Sequence, residues 1–251
     1  MDWQDGRLLV EITAQIQVNG RRRPTAPYET ERRIDEAADE LILDQLLPVQ
    51  YDHQHTLADL LENDVSLFPH LRAAVSAREK LSAIQSRNLQ ELTVRYSVPV
   101  VPELTSLLVT YDRPLPLPSR LLWTPTTSFS GMVIYVPQRL EVRGGETSAV
   151  QPALFPRILD EELNVLFERG TMHPEALAEI GSIVYVGDFD DPALERRAGA
   201  APLRIMAREL FGIAPADIIV SEEDAATLLY SPSAAEILRN GRIVVVSPGL
   251  N

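Results

Sequence analysis

The chain has 251 residues, a formal net charge of −13 and no cysteine. A chain this long buries roughly three quarters of its unfolded surface, so it forms a core without a disulfide or a metal. The acidic balance disfavours nucleic-acid phosphates and anionic lipid heads as partners. The missing thiols exclude disulfides, thiolate metal ligands and a cysteine nucleophile.

The chain opens with an alternation of Leu8, Val10, Ile12, Ala14, Ile16 and Val18 against mostly polar neighbours, the period of a half-buried strand. Asn19-Gly20 ends it with turn chemistry. A strand this close to Met1 suggests that a leader or lipid anchor once stood there. Arg21-Arg22-Arg23 is a short basic run beside Gly20 and Pro24, read as a solvated loop. A helix is expected over 31–47, with Ile34, Ala38, Leu41 and Ile42 on its apolar face and Pro48 as its stop. A second helical section runs over 56–62. A third runs over 67–87, with Ser66 as its cap and Pro69 in its first turn.

Strands follow at 92–100 and 106–112. The segment "RPLPLPSR" reads as a stiff, extended spacer without PxxP spacing. Further strands are expected at 130–136, 182–188, 216–221 and 242–247, and a short helix at 175–180. Ser221 with Asp224 reads as a capping box, Ser231-Pro232 opens another helix, and Asn240-Gly241 closes it. There is no apolar run of about 18 residues, so no membrane span is expected.

Three constellations could carry chemistry. Asp52, His53 and His55 lie together, and in an extended segment the two imidazoles would share a face and could ligate a metal. The polar-loop reading competes with it. "GDFDDP", 187–192, offers three aspartates but lacks the rest of a calcium loop, and reads as a turn ending at Pro192. "ALFPRILDEELNVLFERG", 153–170, sets Asp160, Glu161 and Glu162 between two apolar runs. That spacing predicts a β-hairpin with the acids solvated at its tip. No G-x-S-x-G elbow and no glycine-rich phosphate loop occurs.

"FSGMVIYV", "QPALFPRILDEELNVLFERG", "IGSIVYVGD", "APLRIMARELFG", "ADIIVSEEDAATLL" and "NGRIVVV" follow in that order. Over 127–247 this resembles a group of envelope proteins of diderm bacteria that includes small lipoproteins and FlgT-like flagellar assembly proteins. "WQDGRLLVEITAQI" and "ELTVRYSVPV" look like spirochaete relatives of that group. Two departures stand out. Tyr135-Val136-Pro137 replaces the group's Asp-Ala-Arg, and Leu163-Asn164 replaces its turn glycine.

The residues lead to an α+β fold with mixed sheets, helices packed on one face and two subdomains, 1–112 and 127–251, joined by a Pro-rich connector at 113–126. The resemblance implies a non-enzymatic, periplasm-facing or outer-membrane-associated protein, structural or assembly-related and possibly flagellar. Such a protein would act through a protein partner in the envelope, with no cofactor and no catalytic, cofactor-binding or metal residues assigned. The alternatives are a metal-dependent enzyme using His53 and His55, or a small-molecule binding module.

Overall fold

A computed structural model describes residues 1–16, 25–118 and 127–250. The Asn19-Gly20 turn, the Arg21-Arg22-Arg23 run, Val18 and the second half of the proline-rich stretch lie outside the described residues. The chain divides into two units. The first gathers Met1–Asp2, Gly6–Val49 and Leu57–Val100. The second gathers Trp3–Asp5, Gln50–Thr56 and everything from Val101 onward. The loop carrying His53 and His55 therefore belongs to the second unit, although both its flanks belong to the first.

The first unit runs β1 (Arg7–Gln15), α1 (Ala26–Leu46), α2 (Leu57–Asn63), α3 (Phe68–Ser76), β2 (Glu79–Gln85) and β3 (Glu91–Pro99). Its strands form an antiparallel sheet in the order β1-β3-β2, with Val10 opposite Tyr96 and Ile12 opposite Val94. Leu8, Val10 and Ile12 join Leu92, Val94, Tyr96 and Val98 on the buried face, and α1 adds Ile34, Ala38, Ile42 and Leu46 to the core. Each of the buried leucines, isoleucines and valines contributes about 1.5–3 kcal/mol by leaving water. The other face is a polar ladder: Thr13 with Thr93 at 2.8 Å, Gln15 with Glu91 at 2.7 Å and Arg95 with Glu11 at 2.6 Å.

Three local expectations need correction here. Helix α1 starts at Ala26, with Pro27 in its first turn, and Leu41 is 41% exposed while Leu46 is buried in its place. Ser66 does not cap α3, whose N-cap is Leu67 without a side-chain hydrogen bond; Asp64 caps the 3-10 turn Val65–Leu67 just before it, accepting from the Ser66 N–H at 3.0 Å. The helix expected over 67–87 stops at Ser76, and Glu79–Gln85 forms β2. "EKLSAIQ" has helix-forming residues, but nine residues of β3 offer it a hydrogen-bonded ladder, and pairing overrides a weak local preference.

The second unit runs α4 (Glu103–Leu107), β4 (Met132–Tyr135), β5 (Leu140–Glu141), β6 (Thr147–Ser148), β7 (Ile158–Leu159), β8 (Val165–Phe167), α5 (Pro174–Ile180) and β9 (Val184–Val186). It continues with α6 (Pro192–Ala198), β10 (Leu203–Met206), β11 (Glu209–Phe211), β12 (Asp217–Ile219), α7 (Glu222–Tyr230), α8 (Ala234–Arg239) and β13 (Ile243–Val246). One sheet is parallel throughout, in the order β10-β4-β13-β9; a second is mixed, β11-β12-β7-β8; β5 and β6 form a small hairpin. Ile243, Val244, Val245 and Val246 are all buried, as are Met132, Val133 and Ile134. Central parallel strands are covered on both faces, so they read as continuous apolar runs. Ala193, Leu194 and Ala198 of α6 pack on Val133, Val186, Val244 and Val246.

The strand expected at 106–112 is not formed, because "ELTSL" closes a helical turn that buries Leu104 and Thr105. A short apolar run does not by itself distinguish strand from helix. The architecture as a whole is α+β with mixed sheets in two units.

Candidate functional site

The segment 50–56 is a closed turn, not an extended strand. Gln50 bridges to Thr56, and the Asp52 Oδ1 accepts from the N–H groups of Gln54 at 2.8 Å and His55 at 2.9 Å. The Gln50 side chain ties off the loop by donating to the carbonyls of Asp52 and His55. This curvature sends the two imidazoles apart. His55 folds back on Asp52, with Nδ1 3.1 Å from Oδ1, while His53 turns toward Asp217. The shared face expected of His53 and His55 therefore does not form. Among the described residues no group of three or more metal-ligating side chains gathers. Burial pushes the Asp52 carboxyl up, but the Gln54 and His55 N–H groups and the His55 ring outweigh it and hold it below its ordinary value.

Asp217 is the most deeply buried ionisable group near this loop, at 0% exposure. It opens β12, beside the start of β7. Its Oδ1 accepts from the Arg157 backbone N–H at 2.8 Å, and its Oδ2 from Arg157 Nε at 2.8 Å and lies 2.6 Å from Nη2. Arg157 Nη2 also sits 3.0 Å from His53 Nε2. A guanidinium can only donate, so Nε2 accepts and the His53 proton sits on Nδ1. That Nδ1 lies 3.4 Å from Asp217 Oδ2. Phe211 closes the site, its ring centroid 6.0 Å from both the His53 ring and the Arg157 guanidinium carbon. Gly212 lets the chain pass: its φ is +113°, and a Cβ there would stand 2.7 Å from His53 Cβ. Burial raises the Asp217 carboxyl above its ordinary value even against Arg157. The arrangement pins β7, β12 and the 50–56 loop together, with the buried His53 Nδ1 left without a hydrogen-bond partner among the described residues.

The three acids of the hairpin separate by role. The hairpin forms as expected, with β7 and β8 flanking 160–164. Asp160, however, is fully buried rather than wet. It accepts from the Glu162 N–H at 3.0 Å, the Asn164 N–H at 2.8 Å and the Asn164 side-chain amide at 2.9 Å. It organises a turn in which Leu163 takes a positive φ of 66°. Glu161 is exposed and accepts from the Glu222 N–H at the start of α7. The capping box reaches the same helix end: Ser221 Oγ accepts from the Asp224 N–H and donates to the Asp224 carboxylate. "GDFDDP" is a turn, with Asp191 capping α6 by accepting from the Ala193 N–H at 2.8 Å.

Two other clusters in the second unit escaped sequence reasoning. Arg169 lies over the rings of Tyr51 and Phe155, each 5.3 Å from its guanidinium carbon, and donates to the Tyr51 hydroxyl. Arg197 donates to the carbonyls of Gly241, Ile180, Gly181 and Ser182, and burial pulls it down to about 10. No sequence signal marks either one, since their partners are backbone carbonyls or distant rings. For Asp217 one signal existed: a buried aspartate opening an apolar strand needs a cation or hydrogen-bond donors.

Residues 1–107 match the family Treponema pallidum Tp0624, N-terminal domain, and residues 131–249 match the family Treponema pallidum Tp0624, second domain. The chain is similar to two Tp0624 domains in succession. Both matches point to a spirochaete-type relative. The first Tp0624 match takes in the 50–56 loop, and the second takes in Arg157, Asp160, Arg197 and Asp217. No curated protein matches the chain.

Proposed function

We propose that this chain is a non-enzymatic component of the cell envelope, facing the periplasm, that works as a structural or assembly part through protein contacts. The observation that carries this reading is the use made of the buried polar side chains. Asp217, Arg157 and Asp160 are spent on joining strands and closing turns, where a catalytic pair needs atoms turned to a substrate. The ordered resemblance to envelope proteins of diderm bacteria is what suggests the location. Membership of the FlgT-like flagellar assembly group is the finer form of the same proposal.

Fractionation of cells producing the whole gene product tests it. The protein is expected in the periplasmic or membrane fraction, cross-linked to an envelope protein, and a strain lacking it is expected to show an envelope or motility defect. A cytosolic protein without such a partner would overturn the reading.

A further inference from the structure

We infer that the edge of β10 receives an extended, lysine- or arginine-bearing segment of a partner protein, which adds to the parallel sheet as a fifth strand. This deepens the proposed function and rests on its claim that the chain works through protein contacts.

Among the described residues β10 pairs only with β4. The Leu203 N–H donates to Gly131 O and the Ala207 N–H to Tyr135 O, each at 2.9 Å. The period of two then turns the N–H and C=O groups of Arg204 and Met206 away from β4, toward the open edge. Two other edges, those of β2 and β11, carry protection. The register of β2 breaks between Lys80 and Ser82, and a bulge there bends the edge away from an incoming strand. Leu210 of β11 is bridged by Val142, and its carbonyl accepts from Arg143. The pairing of β10 is regular, with no bulge.

The surface beside this edge is built for side chains. Met206 is 57% exposed and Phe189 is 46% exposed. Phe189 stacks on Tyr135 with centroids 5.7 Å apart, and the Arg204 guanidinium carbon lies 5.9 Å from the Phe189 centroid. A groove of about 340 Å³ opens there, lined in part by Phe189, Asp190, Asp191, Leu194, Glu195 and Arg204. Three carboxylates against one guanidinium, in a chain of net charge −13, select a cationic occupant. The "GDFDDP" turn thus supplies both the aromatic platform and two of the acids. Strand addition takes its affinity from main-chain hydrogen bonds and its specificity from the alternate side chains.

The test uses the full chain and two capped peptides, one alternating valine with lysine and one alternating valine with glutamate. Amide NMR shifts follow binding. The lysine peptide is expected to shift the Arg204 and Met206 amides saturably, and the glutamate peptide to leave them unmoved. Asp190→Asn with Glu195→Gln is expected to weaken binding about tenfold while leaving the backbone untouched. Met206→Pro removes an outward N–H that edge strands can spare, and is expected to abolish binding. Equal response to both peptides, no response, or shifts confined to other residues would each overturn the inference. Self-association that Met206→Pro abolishes would also overturn it, since the occupant would then be a second copy. If envelope cross-links survive while the lysine peptide fails to bind, this site falls and the proposed function stands. A cytosolic location removes the proposed function whatever the peptide does.

Discussion

Asp217 and Arg157 are joined twice over: the carboxylate accepts from the arginine's backbone N–H through one oxygen and from its guanidinium through the other. The pair is asymmetric, because the Asp217 side chain is at 0% exposure and that of Arg157 at 27%. Arg157→Met leaves a carboxylate buried without its cation, which costs about 3–5 kcal/mol. Asp217→Asn leaves an arginine that can still reach water and is expected to cost less. Urea unfolding of the two single variants and the double variant measures both costs and the coupling between them. The Asp217 carboxyl is raised, so the folded state holds its proton more tightly than the unfolded chain. Its share of stability therefore falls as pH rises through the window above the ordinary value of 3.8. In Arg157→Met that fall is expected at higher pH.

The acids at 160–162 are expected to differ sharply under alanine substitution. Asp160→Ala removes the buried carboxylate that accepts from three N–H groups and closes an otherwise exposed turn, at about 1.5–3 kcal/mol. Glu161→Ala removes one contact at the α7 start and costs up to about 1 kcal/mol. Glu162→Ala, at an exposed position, is expected to stay within about 0.5 kcal/mol. Thermal or urea melts of the three variants give the ranking.

Asp35 responds to pH with the opposite sign from Asp217. Burial pushes its carboxyl up, but Lys80 and the Tyr96 hydroxyl, each 2.5 Å away, outweigh that and hold it below 3.8. A depressed carboxyl contributes stability that is fully present above its unfolded value and is lost as pH falls through its folded value. Asp35→Asn is expected to flatten the acid limb of the stability curve of the first unit, read from melts at a series of pH values below neutrality. Tyr96, pushed up strongly by burial and by Asp35, is expected to resist ionisation in a spectrophotometric titration.

Gly212→Ala is expected to destabilise the second unit by about 1–3 kcal/mol, since it places a side chain at φ +113° and against His53 Cβ. The effect should show as faster amide exchange in the 50–56 loop, which the Ala214 N–H anchors by donating to the His53 carbonyl at 3.1 Å.

Local chemistry was legible wherever the cause is local. The alternation from Leu8 to Ile16, the Ser221–Asp224 capping box and the hairpin around 160–164 each depend on residues a few positions apart. What depends on long-range pairing was not legible. "EKLSAIQ" becomes a strand only because β3 offers it a partner, and "SLLVTYD" forms no strand. The acids of the hairpin looked alike because a charge pattern carries no depth: only the folded turn buries Asp160 and leaves Glu162 in water.

By itself the sequence determined the α+β class, most apolar strands, the Ser221–Asp224 cap and a likeness to spirochaete proteins, because period, turn residues and motif order are properties of neighbouring residues. The tertiary structure alone decided which polar groups meet. Asp217 finds Arg157 across 60 positions and His53 joins from another 104 away, because strand pairing and burial bring distant residues together, and a buried charge needs such a partner or enough hydrogen-bond donors.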